Sequence, residues 1–286
     1  MLKNCFLIFF FLIFTNLTFG QNLQKMQIWQ DSLFQLGQKV FSNTSEAERI
    51  ESNFLFVKTL VSALKEPNSY YFDFEKLNVI SCLRSPDNNF RIFSWNVPLH
   101  DGSYLFYGSM QLKSGDLKLI PLLDKTFEIK DVNKESLESS MWYGAQYYEI
   151  IPFTKNQYLL LGWKGHQSEY THKVIEVLNI LPNNIIQFGA PVFSEDKSIF
   201  RKIFSYDRNA TMFVKYNKTK NRIEFDNLVA IDSSKGKNYK KLVPDLSHNG
   251  YEIRNGKLYF VENIEALNPD GFELPNADSK TKVSGF

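Results

Sequence analysis

The sequence predicts a mainly β fold, an antiparallel meander forming a sandwich or barrel, with two α-helices ahead of it. Three observations predict this. Apolar residues recur at helical spacing only between residues 21 and 66. From residue 67 the pattern turns to short apolar and aromatic runs separated by turn residues. The runs are joined by connections of a few residues, which antiparallel neighbours can use and parallel ones cannot.

The first element is a leader. Lys3 precedes an apolar run from Cys5 to Phe14, and Thr15, Asn16, Thr18 and Gly20 follow it, the charged, apolar and small-residue regions of an export signal. Ten apolar residues rise only about 15 Å as a helix, half a bilayer's hydrocarbon thickness, so the run reads as a leader cleaved after Gly20 and not as a permanent span. Next, Met26, Trp29, Leu33, Leu36 and Val40 form one helical stripe. Ser45 with Glu48 three residues on is a capping box, and Ile50, Phe54, Val57, Val61 and Leu64 predict a second helix that Pro67 ends. The polar turn near Asn43 predicts an antiparallel helical hairpin.

Strands are expected at Val79 to Leu83, Phe90 to Val97, Tyr104 to Leu112, Leu117 to Leu122, Trp142 to Phe153 and Tyr158 to Trp163. Further strands are expected at Lys173 to Ile180, Ile199 to Tyr206, Thr211 to Tyr216, Arg222 to Leu228, Tyr251 to Arg254 and Lys257 to Asn263. Asn255-Gly256 between the last two is a strong hairpin signal. An aromatic-Gly-small triplet recurs as Tyr107-Gly108-Ser109, Tyr143-Gly144-Ala145 and Phe188-Gly189-Ala190, at intervals near those of propeller blades, so a small or incomplete β-propeller is the alternative architecture. The expected organisation is a signal peptide over 1–20, a helical segment over 21–66, one antiparallel β domain over 67–267 and an irregular tail over 268–286.

Losing the leader removes one lysine from a chain of formal charge +2, and a near-neutral protein whose basic residues cluster only at Lys235, Lys237, Lys240 and Lys241 is not expected to bind nucleic acid. Only Cys82 remains after processing, which excludes an intrachain disulfide and a cysteine-based zinc site. No later segment is apolar enough to span a membrane, so no transmembrane span is expected after processing.

Catalytic and metal templates fail in turn. His166 and His172, six apart, match no zinc motif; residues 131–142 lack the glycine and terminal glutamate of a calcium loop; Ser103 after His100-Asp101-Gly102 lacks a nucleophile elbow; and no glycine-rich phosphate loop is present. No metal or cofactor is expected. The informative run is Trp142 to Ile150. Strict alternation places Trp142, Gln146, Tyr148 and Ile150 on one face and Tyr143, Tyr147, Glu149 and Ile151 on the other, with Glu149 among tyrosines, where burial raises a carboxylate's pKa. Trp95, Trp163 and Tyr104 extend the ring-lined surface if their strands are neighbours. The candidate ligand-binding residues are therefore Trp95, Tyr143, Tyr147, Glu149 and Trp163.

The phrases Ala63-Leu64-Lys65-Glu66-Pro67-Asn68-Ser69-Tyr70, Ser85-Pro86-Asp87 leading to Phe90-Arg91-Ile92-Phe93-Ser94-Trp95, Trp142-Tyr143-Gly144-Ala145 and Leu161-Gly162-Trp163 resemble a group of uncharacterised exported proteins of Bacteroidetes-type bacteria, as does the Phe-Gly-Gln junction at the leader. The resemblance implies a periplasmic or extracellular setting and carries no activity with it. The functional expectation is a non-catalytic secreted or envelope binding protein for an unknown small molecule, glycan or envelope protein. The alternatives are a secreted hydrolase using Glu149, His100 or Asp101, and a structural subunit of an envelope assembly.

Overall fold

The computed structural model describes residues 2–42, 44–113, 119–165, 169–231 and 241–265, with the backbone alone over 2–21. His166, the turn at 114–116, Lys235, Lys237, Lys240 and the tail 268–286 lie outside the described residues.

Two helices, α1 (Leu2–Ser42) and α2 (Glu46–Leu64), come first. The expected stripe of α1 is buried at Met26, Leu33 and Val40. Ser45 Oγ caps α2 by accepting the Glu48 N–H at 3.4 Å. The helices are antiparallel: Asn22 Nδ2 donates to Pro67 O, and Glu66 at the far end of α2 takes both the Lys25 ammonium and the Trp29 indole N–H of α1. The expected stripe of α2 is corrected by one position. Phe54 and Ile50 are exposed and Val57 is only partly buried, while Leu64 is buried as expected; the buried face is Arg49, Ser52, Asn53, Phe56, Leu60, Ala63 and Leu64. A rotation of about 100° per residue moves the apolar row outward. It is tolerated because the polar residues it buries have partners: Asn53 Oδ1 accepts the Trp95 Nε1–H at 2.7 Å, and Arg49 donates to the Pro98 and Thr44 carbonyls.

The body is three antiparallel sheets. The first is a plain meander of β1 (Ser81–Arg84), β2 (Phe90–Pro98), β3 (Tyr104–Leu112) and β4 (Leu119–Leu123). The second contains β5 (Leu137–Glu138), β6 (Gln146–Thr154), β7 (Gln157–Gly165), β8 (Tyr170–Leu181), β9 (Ile185–Phe188) and β10 (Arg201–Asp207), in the order β5-β9-β8-β7-β6. In it β8 pairs with β10 over its first half and β9 over its last residues. The third is the meander β11 (Val214–Asn217), β12 (Arg222–Ile231), β13 (Lys241–Arg254) and β14 (Lys257–Val261), whose last hairpin turns on Asn255 and Gly256 at φ 49° and 68°, the left-handed pair its sequence announces.

The sheets stack face to face. One face of the first, carrying Phe93, Trp95 and Tyr107, lies under the helices. Its other face, carrying Phe90, Ile92, Phe106 and Met110, packs on Leu160, Val174 and Leu178 of the second sheet. The opposite side of the second sheet, Leu159, Leu161, Ile175 and Val177, packs on Ile223, Phe225, Tyr251 and Leu258 of the third. With both faces covered, β2 and β7 are buried along most of their length; β7 runs apolar from Tyr158 to Leu161, whereas β2 buries Arg91, Ser94 and Asn96 among its apolar residues. The result is a layered sandwich; among the described residues no barrel closes. The aromatic-Gly-small triplets do not mark repeating blades: Gly108 sits inside β3, whereas Gly144 and Gly189 take left-handed φ values of 71° and 90° in connections.

Candidate functional site

Tyr143 and Tyr147 come together in a sealed layer. The expected strand from Trp142 begins only at Gln146, because left-handed Gly144 breaks the extended run; a Cβ there would lie 2.4 Å from Asp124 Cγ. Between the first and second sheets, Trp142 Nε1 donates to the Tyr147 hydroxyl at 2.8 Å and Tyr147 donates to Glu176 Oε2 at 2.6 Å. Arg201 Nε donates to Glu176 Oε1 at 2.6 Å. Trp142, Tyr147, Glu176 and Arg201 are wholly inaccessible. The remaining guanidinium donors serve the carbonyls of Val132, Glu135 and Phe188. Beside them the Tyr143 hydroxyl meets His172 Nδ1 at 2.9 Å. Lys164 donates to the Tyr143 and Gly144 carbonyls at 2.7 Å each, with Asp124 at 3.4 Å and the Phe106 ring beneath it. Burial pushes both tyrosines up and Lys164 down to about 8, against the pull of Asp124. Charges removed from water but fully hydrogen-bonded to one another specify an interior; with no solvent access they hold strands in register.

Trp95 lies in another layer, its ring stacked on Tyr107 at 5.7 Å and edge-on to Phe56 beneath the helices. Glu149 lies in a third. A bulge in the β6–β7 ladder at Tyr148 resets the alternation, so Tyr147 faces the first sheet while Tyr148 and Glu149 both reach the third. Tyr148 donates to Val214 O, and Glu149 accepts the Tyr216 N–H at 3.3 Å. Burial raises the Glu149 pKa, opposed by that N–H and by Lys215. Placing Tyr147 and Glu149 on one face is thereby corrected. The His100-Asp101 pair forms a turn: His100 N–H and ring meet Glu46 and Thr44 O at the start of α2, and Asp101 accepts both the N–H and the hydroxyl of Ser103.

Trp163 is the expected residue that reaches an open site. A cleft of about 350 Å³ lies where the end of β7, the start of β8, the end of β10 and the segment after it meet the first residue of β3. Tyr104 stands edge-on to Trp163 at 5.2 Å, and Gly165 lets the rings close: a Cβ there would lie 2.3 Å from Tyr104 and 2.7 Å from Trp163. Tyr206, pushed up to about 12 by burial, supplies a third ring, and Thr171 and Thr211 supply hydroxyls. Arg208 fixes Tyr104 by donating to its hydroxyl at 2.7 Å and to Gly102 O at 2.6 Å. Half-buried Lys173 stands over the Tyr148 ring at 4.6 Å, with no carboxylate in ion-pair range among the described residues; burial alone lowers its pKa. No Asp, Glu or His is among the described lining residues.

A neighbouring hollow of about 420 Å³ shares Tyr206, but its charged pair is matched, Lys241 with Asp207 at 3.0 Å, and its His172 ring is hydrogen-bonded to the Tyr143 hydroxyl. Sequence reasoning found Trp163 and Tyr104 from ring content. It missed Lys173, whose strand position carried no signal beyond a lysine at the edge of an apolar run, and Arg208, which follows β10 and meets Tyr104 across 104 residues of chain. Among the described residues no cluster of three potential metal ligands exists, and no helix is long and apolar enough to cross a membrane. No family model, no curated protein and no solved structure matches the chain.

Proposed function

We propose that the chain is an exported, non-catalytic binding protein, periplasmic or extracellular, whose small amphipathic ligand or glycan fragment sits against Tyr104 and Trp163. The observation that carries this is the cleft itself: three aromatic rings, two hydroxyls and two cations around an open volume of small-ligand size, on rigid strand ends. Flat rings stack on sugar or aromatic faces, and the few polar groups fix orientation. The leader and the phrases shared with exported proteins support the setting. A hydrolytic role needs an acid or base within reach of the bound molecule. The carboxylates and histidine expected for it, Glu149, Asp101 and His100, are outside the cleft's lining.

Isothermal titration against cell-wall fragments, oligosaccharides and short peptides tests the reading. A ligand is expected whose affinity falls at least tenfold in Trp163→Ala and is unchanged in Trp95→Phe, because Trp95 is enclosed under the helices. A ligand bound equally by wild type and Trp163→Ala would place binding elsewhere. N-terminal sequencing of the protein recovered from the periplasm or medium is expected to start at Gln21.

A further inference from the structure

The second sheet builds a cation into its cleft and withholds the counter-ion. Other cations of the described fold have carboxylates, Arg201 with Glu176 at 2.6 Å, Arg222 with Glu224 at 2.6 Å, Lys164 with Asp124 and Lys241 with Asp207, or neutral oxygens, as Arg91 has in Gln111 Oε1 and the Ser69 and Phe72 carbonyls. Lys173 has an aromatic face in place of an acid, and the charged groups lining its cleft are Lys173 and Arg208 alone among the described residues. Register explains its position. Lys173 lies opposite Trp163 on β7 and opposite Phe204 on β10, so its side chain starts between two aromatic neighbours and lines the cleft, with its ammonium 4.6 Å from the Tyr148 ring. A half-desolvated ammonium with a ring face but no counter-ion is an arrangement that a bound anion improves. The rings beside it recognise a flat or ring-shaped body of the same ligand.

Resting on the reading of the cleft as a binding site, we infer that the ligand is a small ring-bearing carboxylate, its ring against Tyr104 and Trp163 and its carboxylate on Lys173. A uronic acid and an aromatic acid share this chemistry. The two are separated by titrating Trp163 fluorescence with glucuronate against glucose and with phenylacetate against phenylacetamide, using Trp163→Phe as the signal control. The expected result is that one acid binds at least tenfold tighter than its neutral counterpart, that Lys173→Met abolishes the difference without lowering the thermal midpoint, and that Lys173→Arg restores most of it. The arm that responds identifies the sugar or the aromatic source. Equal binding of acid and neutral molecule, or a preference that survives Lys173→Met, overturns the carboxylate assignment and leaves the binding reading standing. No acid binding in either arm, alongside an uncharged ligand found by calorimetry, overturns it too; absence of any ligand in both experiments overturns the binding reading itself.

Discussion

Replacing Arg201 with methionine removes the one cation that, among the described residues, touches Glu176, and leaves a fully enclosed carboxylate with the Tyr147 hydroxyl at 2.6 Å as its donor among them. Breaking a buried pair from one side costs about 3–5 kcal/mol. The guanidinium also serves the carbonyls of Val132, Glu135 and Phe188, and leaving such acceptors unmatched adds about 1 kcal/mol or more, so about 5 kcal/mol is expected in all. That is a large part of the stability of an ordinary domain. With a urea slope of about 3 kcal/mol/M, the unfolding midpoint followed by tryptophan fluorescence falls by about 1.7 M. Glu176→Leu combined with Arg201→Met lifts the stranded charge, so the double variant is more stable than the sum of the two single losses predicts, by about 2 kcal/mol or more. A midpoint shift below about 0.3 M for Arg201→Met, or strict additivity in the cycle, refutes the account of this network as the fixing element between the first two sheets.

Other expectations follow from the same geometry. Lys164 has a folded pKa of about 8 against an ordinary 10.5, so the unfolded chain holds more protons between these values; the penalty is complete below about pH 8 and fades toward pH 10.5. Chemical denaturation of wild type against Lys164→Met is expected to move in favour of wild type by about 2 kcal/mol from pH 7.5 to 10, and a flat difference contradicts the placement. Gly144→Ala forces a side chain onto Asp124 at a left-handed position and is expected to lower stability by about 2 kcal/mol, read as a fall in thermal midpoint. Asn53→Leu strands the buried Trp95 indole N–H and costs about 1–3 kcal/mol; an unchanged midpoint would show that the indole finds another acceptor. Gly165→Val is expected to wedge Tyr104 away from Trp163 and abolish ligand quenching while the far-ultraviolet spectrum stays as in wild type.

Much of the fold was legible because local chemistry and tertiary demand agree. The Ser45 cap, the Asn255-Gly256 hairpin and the strand Tyr104–Leu112 needed no distant information. Where the two diverge, the reading slipped. The α2 stripe turned by one residue because Trp95, some forty positions later, supplies a partner for Asn53. The run from Trp142 lost its alternation to a left-handed glycine and a bulge, neither of which periodicity encodes. The short strand Ile185–Phe188 was missed because Pro182-Asn183-Asn184, with both asparagines at positive φ, resembles the end of a strand more than a hinge into the next. The candidate site was legible only as ring content. Its cations come from β8 and from the turn after β10 and depend on which strand ends meet.

The three sheets are stitched within themselves and hardly to one another. Bridges such as Asp124–Trp142 and Phe193–Leu258 supply ladder-like contact outside the named strands, and the layers otherwise meet through side chains. Amide exchange ought therefore to report a hierarchy with the second sheet at its summit: Leu160, Leu161, Ile175 and Val177 cannot meet solvent until a neighbour on one side has lifted away. The cleft at Trp163 sits at the margin of that slowest-opening slab, so a guest bound there would slow deuterium uptake in β7, β8 and β10 together and leave the helical cover exchanging as before.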